Sequence, residues 1–324
     1  MSSYLQTIWH QSDNYSADTP FDLILKVNKI FDDKQNSPQE IDNYISKLSL
    51  DVAGLDASKI NVLSQEGFTS AYIDNSAMSE FTNLRQQKMA EILAGLSNKV
   101  LMIVRDPIDW VYSAYAQYIH QGGHYSLHEY FNIYEKILLD NLNIKKIIRY
   151  WKAVGLDVQV IPLELMKLDA DKFWQSYSRL DVPIPDKYNS KISSLYKNET
   201  KKETLNAHAA CNELLSLMET SYLGNYQKYD ISTNERDKFV SVLQLTRKIV
   251  TRRFCHMADN ESFDQLSSLL NQEKLSNRKQ TLCVETEFRK NIDRNFIQVC
   301  SDKFGSSHPQ IIQKYNETIR GVER

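Results

Sequence analysis

Several absences narrow what this chain can be. It contains no run of about 18 apolar residues, so no transmembrane helix is expected. The opening stretch MSSYLQTIWHQSDNY has neither the basic start nor the apolar centre of a signal peptide. Lys and Arg total 39 against 41 Asp and Glu, a net charge of −2, which lacks the basic excess of a dedicated nucleic-acid binder. The four cysteines, Cys211, Cys255, Cys283 and Cys300, all fall in the C-terminal half and form no C-x-x-C pair. Neither a disulfide framework nor a cysteine metal site is therefore expected, and reduced, partly buried thiols are the simpler reading. No Walker-type G-x-x-x-x-G-K-[ST] occurs, which disfavours a nucleotide kinase. Internal repeats and low-complexity tracts are also missing. What remains is a soluble, cytoplasmic globular protein with no sequence signal for its oligomeric state.

At 324 residues the chain fits one large domain, or a core with an appended helical part. Ser2 to His10 carries an amphipathic helical pattern with Tyr4, Leu5, Ile8 and Trp9 on one face. Helical segments are expected over Thr19–Phe31 and Gln39–Leu48, and a strand over Ile60–Ser64. Asn83–Leu96 reads as a helix, Val100–Val104 as a buried strand, and Asp157–Pro162 as another strand. Between them a helical region runs from Leu127 to Lys152, interrupted near Asn141 and ended by Gly155. A further helix is expected over Ala170–Arg179. Strands alternating with helices predict an α/β fold built on a mainly parallel sheet over residues 1–185. Residues 186–324 read as a mostly helical region packed on that core.

The richest stretch is KVLMIVRDPIDWVYSAYAQYI, Lys99–Ile119. Arg105 stands at the carboxyl end of the short apolar strand. Asp106 can cap the next helix, and Pro107 suits its first position, where the missing N–H costs nothing. Ile108, Val111, Tyr112, Tyr115 and Ile119 then form an apolar stripe, and Ser113 lies off it. A cation at a strand end and a hydroxyl on the following helix suit a phosphate at the crevice where open α/β sheets bind ligands. The plainer alternative is a capped turn whose arginine bridges to a nearby carboxylate.

With their context, these segments resemble the sulfotransferases that use 3′-phosphoadenosine 5′-phosphosulfate. The resemblance covers Ile60–Pro185 and rests on VLSQEGF, VLMIVRDPIDWVYSAY, YWKAVG and VQVIPLELMK. It implies a three-layer, P-loop-type sheet flanked by helices, with Arg105 and Ser113 on the cofactor's 3′-phosphate. A guanidinium fork and a hydroxyl are chemically apt for phosphate oxygens. That family also carries a Lys-x-Gly-[Thr/Ser]-[Thr/Ser] loop for the 5′-phosphosulfate, and Ser2-Ser3-Tyr4-Leu5-Gln6 resembles its tail and the start of its helix. The preceding strand, lysine and glycine have no counterpart in this sequence, which removes a group that would stabilise charge on the bridging oxygen. Two expectations follow. One is an N-terminally truncated version of an active enzyme, favoured by the unpartnered helix at residue 3. The other is a degenerate, non-catalytic binding or accessory relative.

The resemblance implies transfer of a sulfuryl group from the nucleotide donor to a hydroxyl acceptor, a carbohydrate by fold analogy, without a required metal. Such transfer needs a base. Glu66 in SQEG is the candidate, with a plain turn carboxylate as the alternative. His120, His124 and His128 offer a second source of a base and, by their spacing, a weak metal motif that Gly122-Gly123 interrupts. Glu164 resembles a glutamate often found after the family's third strand, where a structural role is equally open. Arg289-Lys290 and Lys201-Lys202 could reach a phosphate but equally suit charged helix faces. Tyr112, Tyr115, Tyr130, Phe131 and Tyr134 include candidates for stacking on a base, although core packing explains most of them.

Overall fold

The structure, a computed structural model, describes residues 2–18, 21–32, 38–46, 56, 58–64, 68–69, 82–120, 123, 125–186, 212, 285–292, 295–304, 306 and 308–320. Contacts divide the chain into two compact units, each assembled from separate segments. The first comprises Met1–Pro107, Lys136–Lys197 and Ile292–Arg324, and the second Ile108–Glu135 with Asn198–Asn291.

The first unit is helical with short parallel strands. In chain order its elements begin with α1 (Ser2–Gln11), β1 (Tyr15–Asp18), α2 (Phe21–Asp32), α3 (Pro38–Ser46) and β2 (Ile60–Leu63). They continue with α4 (Thr82–Ala94) and β3 (Lys99–Val104), and α5 (Pro107–His120) leaves the unit after its first residue. α6 (Leu127–Leu142) returns to it, followed by α7 (Ile144–Ala153), β4 (Asp157–Pro162), α8 (Leu163–Leu168) and α9 (Ala170–Tyr177). A single 3₁₀ turn, Ser178–Leu180, follows, and α10 (Asn295–Phe304) and α11 (Pro309–Arg320) complete the described elements.

Among the described residues the strands form two parallel pairs. β1 pairs with β2 from Tyr15↔Ile60 to Asp18↔Leu63, and β3 with β4 from Lys99↔Asp157 to Val104↔Pro162. The α/β mixture with parallel pairing agrees with the sequence pattern, and helices predominate.

Local chemistry explains the element ends. Asn143 breaks the long helical stretch and caps α7, its side-chain oxygen accepting from the Lys146 N–H at 3.2 Å. At the other end Gly155 takes φ +89°, its N–H bonds to the Lys152 carbonyl at 3.0 Å, and the Leu156 N–H reaches Trp151 O at 3.1 Å. Those two bonds form a Schellman cap, and the left-handed φ is why glycine stands there. Asp169 caps α9 by accepting from the Lys172 N–H at 2.9 Å.

The core draws on nearly every helix of this unit. Leu5, Ile8 and Trp9 of α1, Ile24, Val27 and Phe31 of α2, and Met89 and Ile92 of α4 are buried. They share one cluster with Trp151 of α7, Phe173 and Trp174 of α9, Phe296 and Cys300 of α10, and Ile311 and Tyr315 of α11. Burying each large apolar side chain contributes about 1.5–3 kcal/mol. The apolar face of α1 is thus covered within the chain, which corrects the expectation that this helix stands without a partner. Arg85 of α4 is fully buried and donates through Nε to Asn28 Oδ1 at 2.9 Å.

The second unit places the predicted apolar stripe of α5 inside. Ile108, Val111, Tyr115 and Ile119 are buried together with Tyr130, Phe131 and Tyr134 of α6. Tyr115 meets Tyr130 edge-on at 5.1 Å, and Phe131 lies 4.9 Å from Phe288 in the helical segment 285–291. Asn212 donates to the carbonyls of Ile119 and Gly123 at 2.9 and 2.6 Å. Most of the helical pattern expected between residues 204 and 305 lies outside the described residues. No described helix is long and apolar enough to cross a membrane.

Candidate functional site

The carboxyl ends of β3 and β4 bring the chemistry of the first unit together. Because Val104 pairs with Pro162, Asp106 and Glu164 each stand two residues beyond matched strand ends. The Asp106 N–H accordingly donates to Glu164 Oε1 at 3.0 Å, tying the turn after β3 to the first turn of α8. Glu164 Oε2 accepts from the Tyr315 hydroxyl of α11, and Lys314 Nζ lies 3.7 Å from Oε1. Burial, reinforced by the Glu164 charge and hydrogen bond, pushes the Tyr315 phenol far above its ordinary range, so it stays a proton donor. The glutamate after β4 is structural and fully engaged.

Arg105 sits between Val104 and Asp106 and is half-buried. Its Nε is enclosed and has no hydrogen-bond partner, and no described carboxylate pairs with its guanidinium. The capped-turn alternative, in which the arginine bridges to a carboxylate, has no support among the described residues. Glu164, two residues beyond the paired strand end, is committed to the Asp106 N–H, Tyr315 and Lys314. A buried donor left unmet costs about 1–3 kcal/mol, so a cation built this way has a use for an anion. A phosphate, with several acceptor oxygens and negative charge, fits that donor set.

None of the other candidate residues is among the hydrogen bonds and ion pairs just described. Ser113 is exposed on α5, off the buried stripe as the spacing predicts, and belongs to the second unit. Ser2 and Ser3 open α1, and their side chains lie outside the described residues. α1 itself is anchored near a strand end, since Gln6 Nε2 donates to the Ser64 carbonyl and hydroxyl oxygens, each at 3.2 Å. Ser64 follows β2, and its N–H continues the ladder to Asp18 O at 2.9 Å. Glu66 and His124 lie outside the described residues, as does the side chain of His120. His128 contacts Asn132 on the same helix, Nε2 to Nδ2 at 3.2 Å. No group of three metal-ligating side chains occurs among the described residues.

Arg289 is already paired. Its Nε bonds Glu285 at 3.2 Å, and Glu285 also accepts from the Tyr112 hydroxyl at 2.7 Å, which with burial raises the Tyr112 phenol. Lys290 pairs with Glu287 at 2.8 Å on an exposed face. Both residues serve their own helix, and Lys201-Lys202 lie outside the described residues. Tyr115, Tyr130, Phe131 and Tyr134 are core residues rather than exposed stacking platforms. The residues that sequence reasoning missed are Lys314 and Tyr315. Their only signal was the strong amphipathic pattern of PQIIQKYNETIR behind Pro309.

Comparisons with family models, with curated proteins and with solved structures gave no match.

Proposed function

We propose that this chain is a sulfotransferase-like protein of three-layer, P-loop-type architecture that binds 3′-phosphoadenosine 5′-phosphosulfate. By the resemblance Arg105 takes the 3′-phosphate, and Ser2 and Ser3 contribute at the 5′ end of the nucleotide. The observation that carries the reading is Arg105, a half-buried cation at a parallel strand end whose Nε lacks a partner while the neighbouring Glu164 is neutralised elsewhere. The parallel pairing of β3 with β4 supports it further, because ligands of open α/β sheets gather at carboxyl strand ends. So does the anchoring of α1 at Ser64, which keeps the helix bearing Ser2 and Ser3 beside the end of β2. When bound, the donor supplies an activated sulfuryl group. Transfer forms a bond from an acceptor oxygen to sulfur and breaks the bond from sulfur to the phosphate oxygen, the acceptor's proton passing to Glu66. The acceptor class is a hydroxyl compound such as a carbohydrate.

The test separates binding from transfer. Titrating adenosine 3′,5′-bisphosphate into the protein in a calorimeter should give saturable binding that Arg105→Ala weakens by about a hundredfold. Labelled donor with a panel of sugars then reads transfer, which Glu66→Gln should suppress. Binding without transfer identifies a nucleotide-binding relative that lacks catalysis. Absence of binding in the intact protein rejects the reading.

A further inference from the structure

We infer that Glu164 is a positioning residue for the anion site at Arg105, held in place from the far end of the chain by Tyr315 and Lys314 of α11. The inference rests on the phosphate-binding reading of Arg105. Glu164 does not pair with the arginine. It accepts instead from the N–H of Asp106, the next residue along, at 3.0 Å, and so fixes the backbone from which the Arg105 side chain departs. Two contacts from α11 hold the carboxylate in that place. The Tyr315 hydroxyl donates to Oε2, and Lys314 Nζ stands 3.7 Å from Oε1, so the carboxylate's charge is met by α11. Tyr315 is fully buried among Phe296 and other core residues, with ring centroids 5.6 Å apart, so the clamp has a rigid base. α11 thereby holds the carboxylate that fixes the backbone at Arg105, a link spanning 151 residues of sequence.

Positioning and simple charge make opposite forecasts. Glu164→Gln keeps an oxygen for the Asp106 N–H and removes the negative charge, whereas Glu164→Ala removes both. If Glu164 positions, Glu164→Ala should weaken affinity for adenosine 3′,5′-bisphosphate by about tenfold or more, the worth of one charge-assisted hydrogen bond. Glu164→Gln should stay within about threefold of the wild type. If Glu164 acts only as a nearby charge, both substitutions should tighten binding, and that result overturns the inference.

Hydrogen exchange at the Asp106 amide supplies a readout that needs no ligand. It should quicken by about tenfold or more in Glu164→Ala while the β3 amides stay protected, and remain near wild type in Glu164→Gln. Tyr315→Phe, which retains the ring and only frees Oε2, should quicken the same amide by about threefold or more, and it serves if Glu164→Ala does not fold. Unchanged Asp106 exchange in these variants overturns the positioning role. Failure of the wild type to bind the nucleotide, with exchange behaving as forecast, overturns the nucleotide reading and leaves the clamp standing.

Discussion

Replacing Arg105 by methionine sets two energies against each other. Met matches the stem of arginine in length and carries no donor. In the ligand-free protein the enclosed Nε of Arg105 has no partner, and an unmet buried donor costs about 1–3 kcal/mol. Because Arg105 is only half-buried, about 1 kcal/mol is the reasonable share, since water relieves the rest of the side chain. Arg105→Met should therefore leave the ligand-free protein as stable as wild type or raise Tm by about 2–4 °C, the shift that 1 kcal/mol produces in a domain of 150–250 residues. With adenosine 3′,5′-bisphosphate at about a hundred times Kd, the wild type should gain about 2.7 kcal/mol. The variant, with affinity about a hundredfold weaker, should gain only about 0.4 kcal/mol at the same concentration. Thermal denaturation with and without the nucleotide, in buffer free of phosphate and sulfate, reads both numbers at once. A drop in ligand-free Tm on losing Arg105 would instead mark an arginine that already holds a carboxylate and has no need of a phosphate.

Other outcomes follow from the caps and the buried phenols. Gly155→Ala should cost about 1–2 kcal/mol in a denaturant titration, all of it from the left-handed backbone, since the space around an added methyl group is open. Asn143→Ala should cost about 1 kcal/mol by the same measurement, through the lost cap of α7. Burial holds the phenols of Tyr15, Tyr115, Tyr177 and Tyr315 above their ordinary range, so each is neutral in the folded protein. The stability they contribute is complete below the unfolded value near pH 10 and falls above it by about 1.4 kcal/mol per pH unit for each phenol. Phenolate absorbance during an alkaline titration should then rise together with loss of helical signal, whereas a smooth rise with the fold intact would contradict the burial.

Much of the first unit was legible because its signals are local. The apolar run of β3 and the Asp-Pro that opens α5 announced themselves, as did the stop at Gly155 and the alternation of β4. The break near Asn141 fell two residues away, at Asn143, where the side-chain cap is made. β1 was not foreseen. Its four residues, Tyr-Ser-Ala-Asp, carry no apolar alternation, and their strand character comes from pairing with β2 more than forty positions later. α8 was missed because it starts directly on Pro162 with no polar punctuation to announce it. At the site, the sequence singled out Arg105 and left its neighbour's role open. The two oxygens of Glu164 are met by the Asp106 N–H and by Lys314 and Tyr315, which no spacing rule connects to a strand end.

The decisive question is whether Arg105 serves a phosphate. It is tested most directly by calorimetric titration of the intact wild-type protein with adenosine 3′,5′-bisphosphate and, separately, with adenosine 5′-monophosphate. The two ligands differ only in the 3′-phosphate assigned to Arg105. The bisphosphate should bind more tightly by about a hundredfold, the worth of two charge-assisted hydrogen bonds from a guanidinium, with the preference lost in Arg105→Met. Equal affinity for the two nucleotides, or a preference that survives Arg105→Met, would contradict it.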